Sequence, residues 1–320
     1  MANYYTLGAA LPTLKQGEYR SSTITSEEFL LLLKEQLTRR DAQLIRLLLL
    51  RYDNELLLHL LRSDEVPEWM QKEDAPHLTI GEAKLREMIE LVEQYVRAVE
   101  DPFTVLPPKR PKLSKKLYPE YMTHFVELYL TDHIRGEVRS YFYEDILAME
   151  YAAYVQQEGN AFMREWFRFE ENISALLAAY TAERYKLELG EYLIGERDLL
   201  QQLREHNWLD IQVGPYADLV KEVKGIAEEE HLALREQKID ALKWAELDKV
   251  TFSDLFSIDA MIAYFLRLQI LERWERLDKV RGEETFRQII SGLNNEGADE
   301  LEHFREAVRM MRHAKREKVR

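Results

Sequence analysis

The chain has 320 residues, with 44 Lys+Arg against 58 Asp+Glu, a formal net charge of -14 and no cysteine. Disulfides, thiolate metal sites, Fe–S clusters and a cysteine nucleophile are therefore excluded, and the acidic balance argues against a general nucleic-acid binder, which usually presents a basic surface. The longest apolar run, Ala260–Leu266, has seven residues, against the ~20 that a membrane-spanning helix needs.

The 12 glycines and 9 prolines fall below the usual shares of about 7% and about 5%. Seven of the prolines lie between Pro67 and Pro119. A Leu-, Glu-, Arg- and Ala-rich chain that otherwise avoids helix breakers is expected to be all-α. In chain order, the opening MANYYTLGAALPTLK lacks the basic start and long apolar core of a secretory signal. A short extended piece is expected at Tyr4–Ala9. Thr25-Ser26-Glu27-Glu28 reads as a capping box, in which a hydroxyl and a glutamate satisfy each other's free amides. It opens a helix over 26–37, followed by one over 41–61. Thr79-Ile80-Gly81-Glu82 reads as a second capping box and opens 79–99. The prolines of Asp101–Pro119, with Lys109, Arg110, Lys112, Lys115 and Lys116, predict a solvated linker.

Beyond it, helices are predicted over 119–139, 142–157, 160–188, 197–206, 216–247, 257–280, 282–293 and 297–316, with a second extended piece around Leu209–Val213. The 216–247 helix shows an inward stripe of Leu219, Val223, Ile226, Ala233 and Leu234. Glu230 falls on that line, so a partner or a cavity is expected for its carboxylate. The last predicted helix carries Leu301, Phe304, Val308 and Met311. From Arg305 to Arg320 there are seven Lys/Arg and two acids. That stretch reads as a solvated tail or as a docking patch for an acidic partner.

One pattern occurs three times: an acid leading into an apolar helix, at Asp41–Arg51, Glu171–Thr181 and Asp259–Gln269. The acid suits a helix N-terminus. The residues that follow are too uniformly apolar for a surface helix, so three central buried helices are expected, with Leu47, Leu177 and Phe265 in the core.

Phosphate-loop, dinucleotide, nucleophile-elbow and zincin motifs are absent. Glu228-x-x-His231 and Glu300-x-x-His303 match the spacing used in ferritin-like di-metal bundles. Both His residues lie off the apolar face of their helices, so solvated faces are expected rather than a metal site. No catalytic residue, cofactor or metal is assigned. The residue pattern favours a scaffold or interaction protein over an enzyme.

Three stretches resemble the C-subunit family of V-type and A-type ATPases, whose eukaryotic members are the d-subunits. Glu171-Asn172 through Arg184 resembles the acid-Asn…Arg central helix of that family, and Gly190–Leu200 resembles the segment that follows it. Phe256-Ser257-Ile258-Asp259 through Tyr264 resembles its Phe-Ser-x-acid…Ala-Tyr helix. The opening Asn3–Pro12 resembles a bacterial branch of proteins similar to the C-subunits. The family-motif residues are thus Glu171, Asn172, Arg184, Ser257, Asp259 and Tyr264, without an assigned role.

The resemblance implies an all-α, funnel-like protein with a threefold internal pseudo-repeat, divided as residues 1–105, 106–206 and 207–320. It implies a non-catalytic central-stalk subunit that joins the shaft of a rotary ATPase to the membrane proteolipid ring. Its partners would be the shaft subunits and that ring, with no nucleic acid and no span of its own, and its location cytoplasmic and peripheral to the membrane. The alternatives are a helical adaptor or scaffold unrelated to ATPases and a ferritin-like di-metal protein.

Overall fold

A computed structural model describes residues 4–17, 24–66, 68–71, 77–101, 103, 108–137, 143–187, 198–205, 211 and 214–276. All regular structure among them is helical: α1 Tyr5–Ala10, α2 Ser26–Lys34, α3 Arg39–Arg62, α4 Glu68–Gln71, α5 Glu82–Glu100, α6 Glu120–Arg135, α7 Tyr143–Glu158, α8 Ala161–Tyr185, α9 Asp198–Glu205, α10 Ala217–Ala227, α11 Leu232–Ser253 and α12 Ile258–Arg276. The helices predicted at 282–293 and 297–316 lie outside the described residues, as does most of the extended piece predicted around Leu209–Val213.

Local chemistry sets most of the boundaries. At α2 the capping box is present: Glu28 N–H donates to Thr25 Oγ1 at 3.1 Å, and Thr25 N–H donates to Glu28 Oε2 at 2.9 Å. Thr38 and Asn160 cap α3 and α8, accepting from the N–H groups of Asp41 and Met163. Gly136, at φ 71°, ends α6 in the left-handed region, which glycine enters without steric penalty.

Four expectations are corrected. Tyr4–Ala9 is not extended, because Gly8 N–H and Leu11 N–H close helical turns onto Tyr4 and Leu7. The predicted 216–247 helix is two helices, broken at Glu228–His231. That break re-phases the second half, so Leu234 is exposed and Glu230 sits in solvent at the break rather than inward. The second capping box does not form. Thr79 turns its hydroxyl to Asp53, and Gly81 stands at the N-cap of α5. Finally, the end of the predicted linker is a strap rather than a solvated spacer. Tyr118 is buried and donates its hydroxyl to Lys84 O at 3.1 Å, and Arg46 of α3 donates to the carbonyls of Lys116 and Leu117.

The main core is built from α1 to α3, α5 to α7, the first half of α8 and α12. Within it α5 packs on α6, α6 on α7, α3 on α5 and α7, and α2 on α12. Leu47 and Phe265 are buried there as expected. A second core gathers Ile173, Leu176 and Ala179 of α8 with α9 and α10. Leu177 is only partly buried beside it, one position off the buried line. Three tyrosine hydroxyls inside the main core are paired: Tyr121 donates to Asn54 at 2.8 Å, Tyr143 to Asp132 at 3.0 Å and Tyr151 to Leu47 O at 2.8 Å. Such pairing removes the penalty for burying hydroxyls.

Candidate functional site

The first described residues meet the connection between α11 and α12 at one junction. Tyr4 N–H donates to Phe256 O at 2.9 Å. The buried Tyr4 hydroxyl donates to Asp41 Oδ2 at 2.6 Å, and Thr38 Oγ1 donates to the same oxygen at 2.7 Å. Burial, then the Asp41 carboxylate, push the Tyr4 hydroxyl well above its ordinary pKa, so it remains a proton donor to that acid. Tyr5 packs its ring 4.6 Å from Phe256. A Cβ added at Gly8 would lie 2.8 Å from Phe256 Cδ1, so this close approach requires a residue without a side chain. Tyr264 donates to Pro12 O at 3.1 Å, and burial pushes its pKa up to about 12.

The start of α12 completes the junction. Ala260 N–H donates to Ser257 Oγ at 3.2 Å, a capping bond. Asn160, the cap of α8, donates its amide to Asp259 Oδ1. Burial raises the Asp259 pKa, Asn160 opposes that rise, and Asp41 adds to it. Two of the three acids expected to lead helices, Asp41 and Asp259, stand at helix starts and converge here, whereas the third, Glu171, stands inside α8.

The outer face of the junction is apolar. Phe252 is 94% exposed, Tyr5 61% and Leu255 60%. Charged residues adjoin it in sequence: Asp254 precedes Leu255, and toward the end of α11 Glu246 pairs with Lys249 and Asp248 with Arg267, each at 2.6 Å. Exposed aromatic and aliphatic groups beside charged residues form a docking surface in chemical terms, with contact area at the centre and charge at the edge.

Of the sequence-predicted residues, Ser257, Asp259 and Tyr264 come together at this junction with residues 4–12. Glu171, Asn172 and Arg184 do not. Glu171 lies eleven residues along α8 from Asn160, a rise of about 16 Å. Glu171 and Asn172 are half-buried, and Arg184 is exposed in the last turn. Glu228 and His231 are exposed at the α10–α11 break, and Glu300 and His303 lie outside the described residues. Among the described residues no group of three or more His, Asp or Glu could hold a metal ion.

Three constellations are not foreshadowed by any motif. Ser26 at the start of α2 donates its Oγ to Glu272 Oε2 at 2.6 Å and its N–H to Oε1, with His77 Nε2 3.2 Å from the hydroxyl. In this arrangement the acid holds the serine rather than orienting the histidine, and Ser26 is buried. It clasps α2 to α12 and differs from a hydrolase triad. The second is Asp53, fully buried in α3, which accepts from Thr79 N–H, Thr79 Oγ1, Ile80 N–H and Gly81 N–H at 2.7–3.1 Å. It supplies from another helix the acceptors for the backbone turn at 79–81 that leads into α5. The third is a cleft of about 480 Å³ between α3 and α7, lined by Arg51, Asn54, His59, Arg62, Glu144 and Tyr151, with Arg62 and Glu144 paired at 2.6 Å. A single Asp or Ser has no spacing signal, although Asp53-Asn54 do interrupt an otherwise apolar run.

The family assignment drawn from the resemblance is also corrected. Its motifs are short and degenerate, and several proceed from the general chemistry of buried helices with acidic starts. No ATPase C-subunit family matches the chain. Neither a curated protein nor a solved structure matches it. A family model described as a protein of unknown function, DUF2764, matches residues 1–297. Because that match covers most of the 320 residues, the chain belongs to the DUF2764 family.

Proposed function

We propose that this protein is a non-catalytic coupler that holds a helical partner on the apolar face of the N-terminal junction. The assembly proposed is a V/A-type rotary ATPase, in which the chain joins the foot of the central shaft to the membrane proteolipid ring and lies at the membrane surface through those partners. The observation that supports a coupling role is the exposed Tyr5–Phe252–Leu255 surface on a rigidly bonded base. A shaft is a coiled coil, and an amphipathic helix is recognised by such an apolar, charge-rimmed surface. The choice of a rotary ATPase rests on the order of the stretches at 3–12, 170–200 and 256–293, not on family membership. The form proposed is a three-lobed helical funnel. The burial of α3 and α12 behind their acidic starts supports that form.

The test is reconstitution with purified shaft subunits and detergent-solubilised ring, run together and separately on a sizing column. Binding should weaken with salt through screening. The pair Phe252→Asp and Leu255→Asp, both at exposed positions, should leave folding intact and remove shaft binding. Failure of the unsubstituted chain to bind either component at micromolar concentration and low salt refutes the rotary role and leaves the general helical adaptor. Binding that survives the double substitution refutes the junction as the docking face.

A further inference from the structure

The stretch Lys109–Tyr118 carries five cations, Lys109, Arg110, Lys112, Lys115 and Lys116, and no acid. That is a net +5, which leaves -19 on the other 310 residues. Two of the five are used within the fold: Arg110 pairs with Glu127, and Lys115 with Glu120 at 3.0 Å. The ammonium groups of Lys109, Lys112 and Lys116 have no hydrogen bond or ion pair among the described residues, and Lys112 and Lys116 are exposed. Neither the packing of the core nor the coupling role uses these three.

The stretch is held as an ordered ridge. It borders a groove between α5 and α6, lined from those helices by Val92, Tyr95 and Thr123. Arg46 donates to its carbonyls at Lys116 and Leu117, and Tyr118 reaches Lys84 O at 3.1 Å. Pro108, Pro111 and Pro119 restrict its backbone. A surface that binds these lysines does not have to order the chain beneath them, which removes part of the cost of association.

Apolar side chains stand nearby. Leu91, Tyr95 and Val99 are four residues apart and share one face of α5. Tyr95 lines the groove beside the ridge, whereas Leu91 and Val99 are 37% and 47% exposed, and Phe103, just past the end of α5, is 87% exposed. Of the acids on that helix, Glu87, Glu93 and Glu100 are already paired, with Lys84, Arg97 and Arg135, and Glu90 is not.

Cations strung along a ridge suit a plane of anions better than a single phosphate group. Exposed Phe103, Val99 and Leu91 suit the boundary between lipid headgroups and acyl chains. We infer that the Lys109–Lys116 ridge rests on an anionic lipid bilayer, with its free lysines among the headgroup phosphates and Phe103 at the interface. The contact is the chain's own. It differs from the membrane location proposed above, which is reached through partner subunits, and it does not rest on that reading.

The test is flotation of the purified full-length chain with vesicles of phosphatidylcholine alone and of an equimolar mixture with phosphatidylglycerol. The chain should bind the mixed vesicles and not the neutral ones, and binding should weaken with salt through screening. Each lysine near an anionic surface is worth about a fivefold gain, so Lys109→Gln, Lys112→Gln and Lys116→Gln together should lower binding about 100-fold. Phe103→Ser should lower it about tenfold. Arg184→Gln, Lys221→Gln and Lys224→Gln remove three exposed cations from α8 and α10 and form the control set, which should leave binding nearly unchanged. No binding to the mixed vesicles, equal binding to the neutral ones, or a loss as large in the control set overturns the inference. So does tighter binding to polyglutamate or to duplex DNA with the same dependence on the three lysines, which would assign the ridge to an acidic protein or a nucleic acid. No shaft or ring subunit is present, so none of these outcomes decides the rotary role.

Discussion

Asp53→Ala is the sharpest test of how the main core is held. The Asp53 carboxylate is fully buried and takes four donors, three of them backbone N–H groups of Thr79, Ile80 and Gly81 just before α5. Hydrogen bonds to a charged acceptor contribute about 1.5 kcal/mol each at the low end, so four sum to about 6 kcal/mol. Truncation also removes the penalty of burying a carboxylate, which offsets about half of that. The expected net loss is about 3 kcal/mol. At about 2 °C per kcal/mol for a chain of this size, Tm should fall by about 6 °C. Thr79→Val, which removes one donor, should cost about 1 kcal/mol.

The pH dependence adds an independent readout. Burial raises the Asp53 pKa above 3.8, against the pull of its hydrogen bonds. A carboxyl held above its unfolded value contributes stability that is fully present below that value and is lost as pH rises through the folded one. Wild type and Asp53→Ala should therefore differ most in acid, with the gap narrowing as pH rises from 3.8. The assay is chemical denaturation followed by circular dichroism across that range. A loss below about 0.5 kcal/mol, within the range of an ordinary surface substitution, would refute the reasoning. A gap that widens with rising pH would refute the direction of the shift.

Three further outcomes are expected. Gly8→Ala places a methyl 2.8 Å from Phe256 Cδ1, and should cost about 1 kcal/mol in denaturant midpoint because the ring and the Tyr5 contact must shift. Leu176→Ala, at a fully buried position, should cost about 3 kcal/mol, and Leu177→Ala, one position off the buried line, about 1 kcal/mol; equal losses would mean that α8 presents a different face. Burial would lift the Glu170 carboxyl, but Lys243 at 2.8 Å and Arg51 hold it below 4.5. Its stabilising share is thus present above 4.5 and lost as pH falls through the lowered folded value. Lys243→Met should cost about 1 kcal/mol at neutral pH and flatten the acid limb of the stability curve.

Helical class and most helix positions were legible because both arise from local rules. Scarce glycine and proline, the Thr25–Glu28 capping box and apolar periodicity act within a few residues, and α2, α3, α7 and α8 follow them. Two of the three acid-led helices were legible for the same reason, since burial of Leu47 and Phe265 follows from an apolar stretch on all sides; in the third, Glu171 stands inside α8 and Leu177 is only partly buried. Tertiary structure decided what depends on residues distant in sequence. Thr79 had a local partner in Glu82, yet it turned to Asp53, because a buried carboxylate needs donors more than an exposed helix start needs a cap. The strap at 113–118 looked solvated by charge count, but Arg46 supplies donors to its carbonyls and Tyr118 is drawn under them. The break at Glu228–His231 has no proline to announce it, and it moved Glu230 from the predicted interior to solvent. The candidate site follows the same division. Ser257, Asp259 and Tyr264 could be singled out along the chain, but their meeting with Tyr4 and Pro12 is a contact across some 250 residues, decided by how α1 seats against α12. What the sequence by itself determined is each helix and its apolar face; which faces meet, and which aromatic groups are left outside, depended on the packing of all of them together.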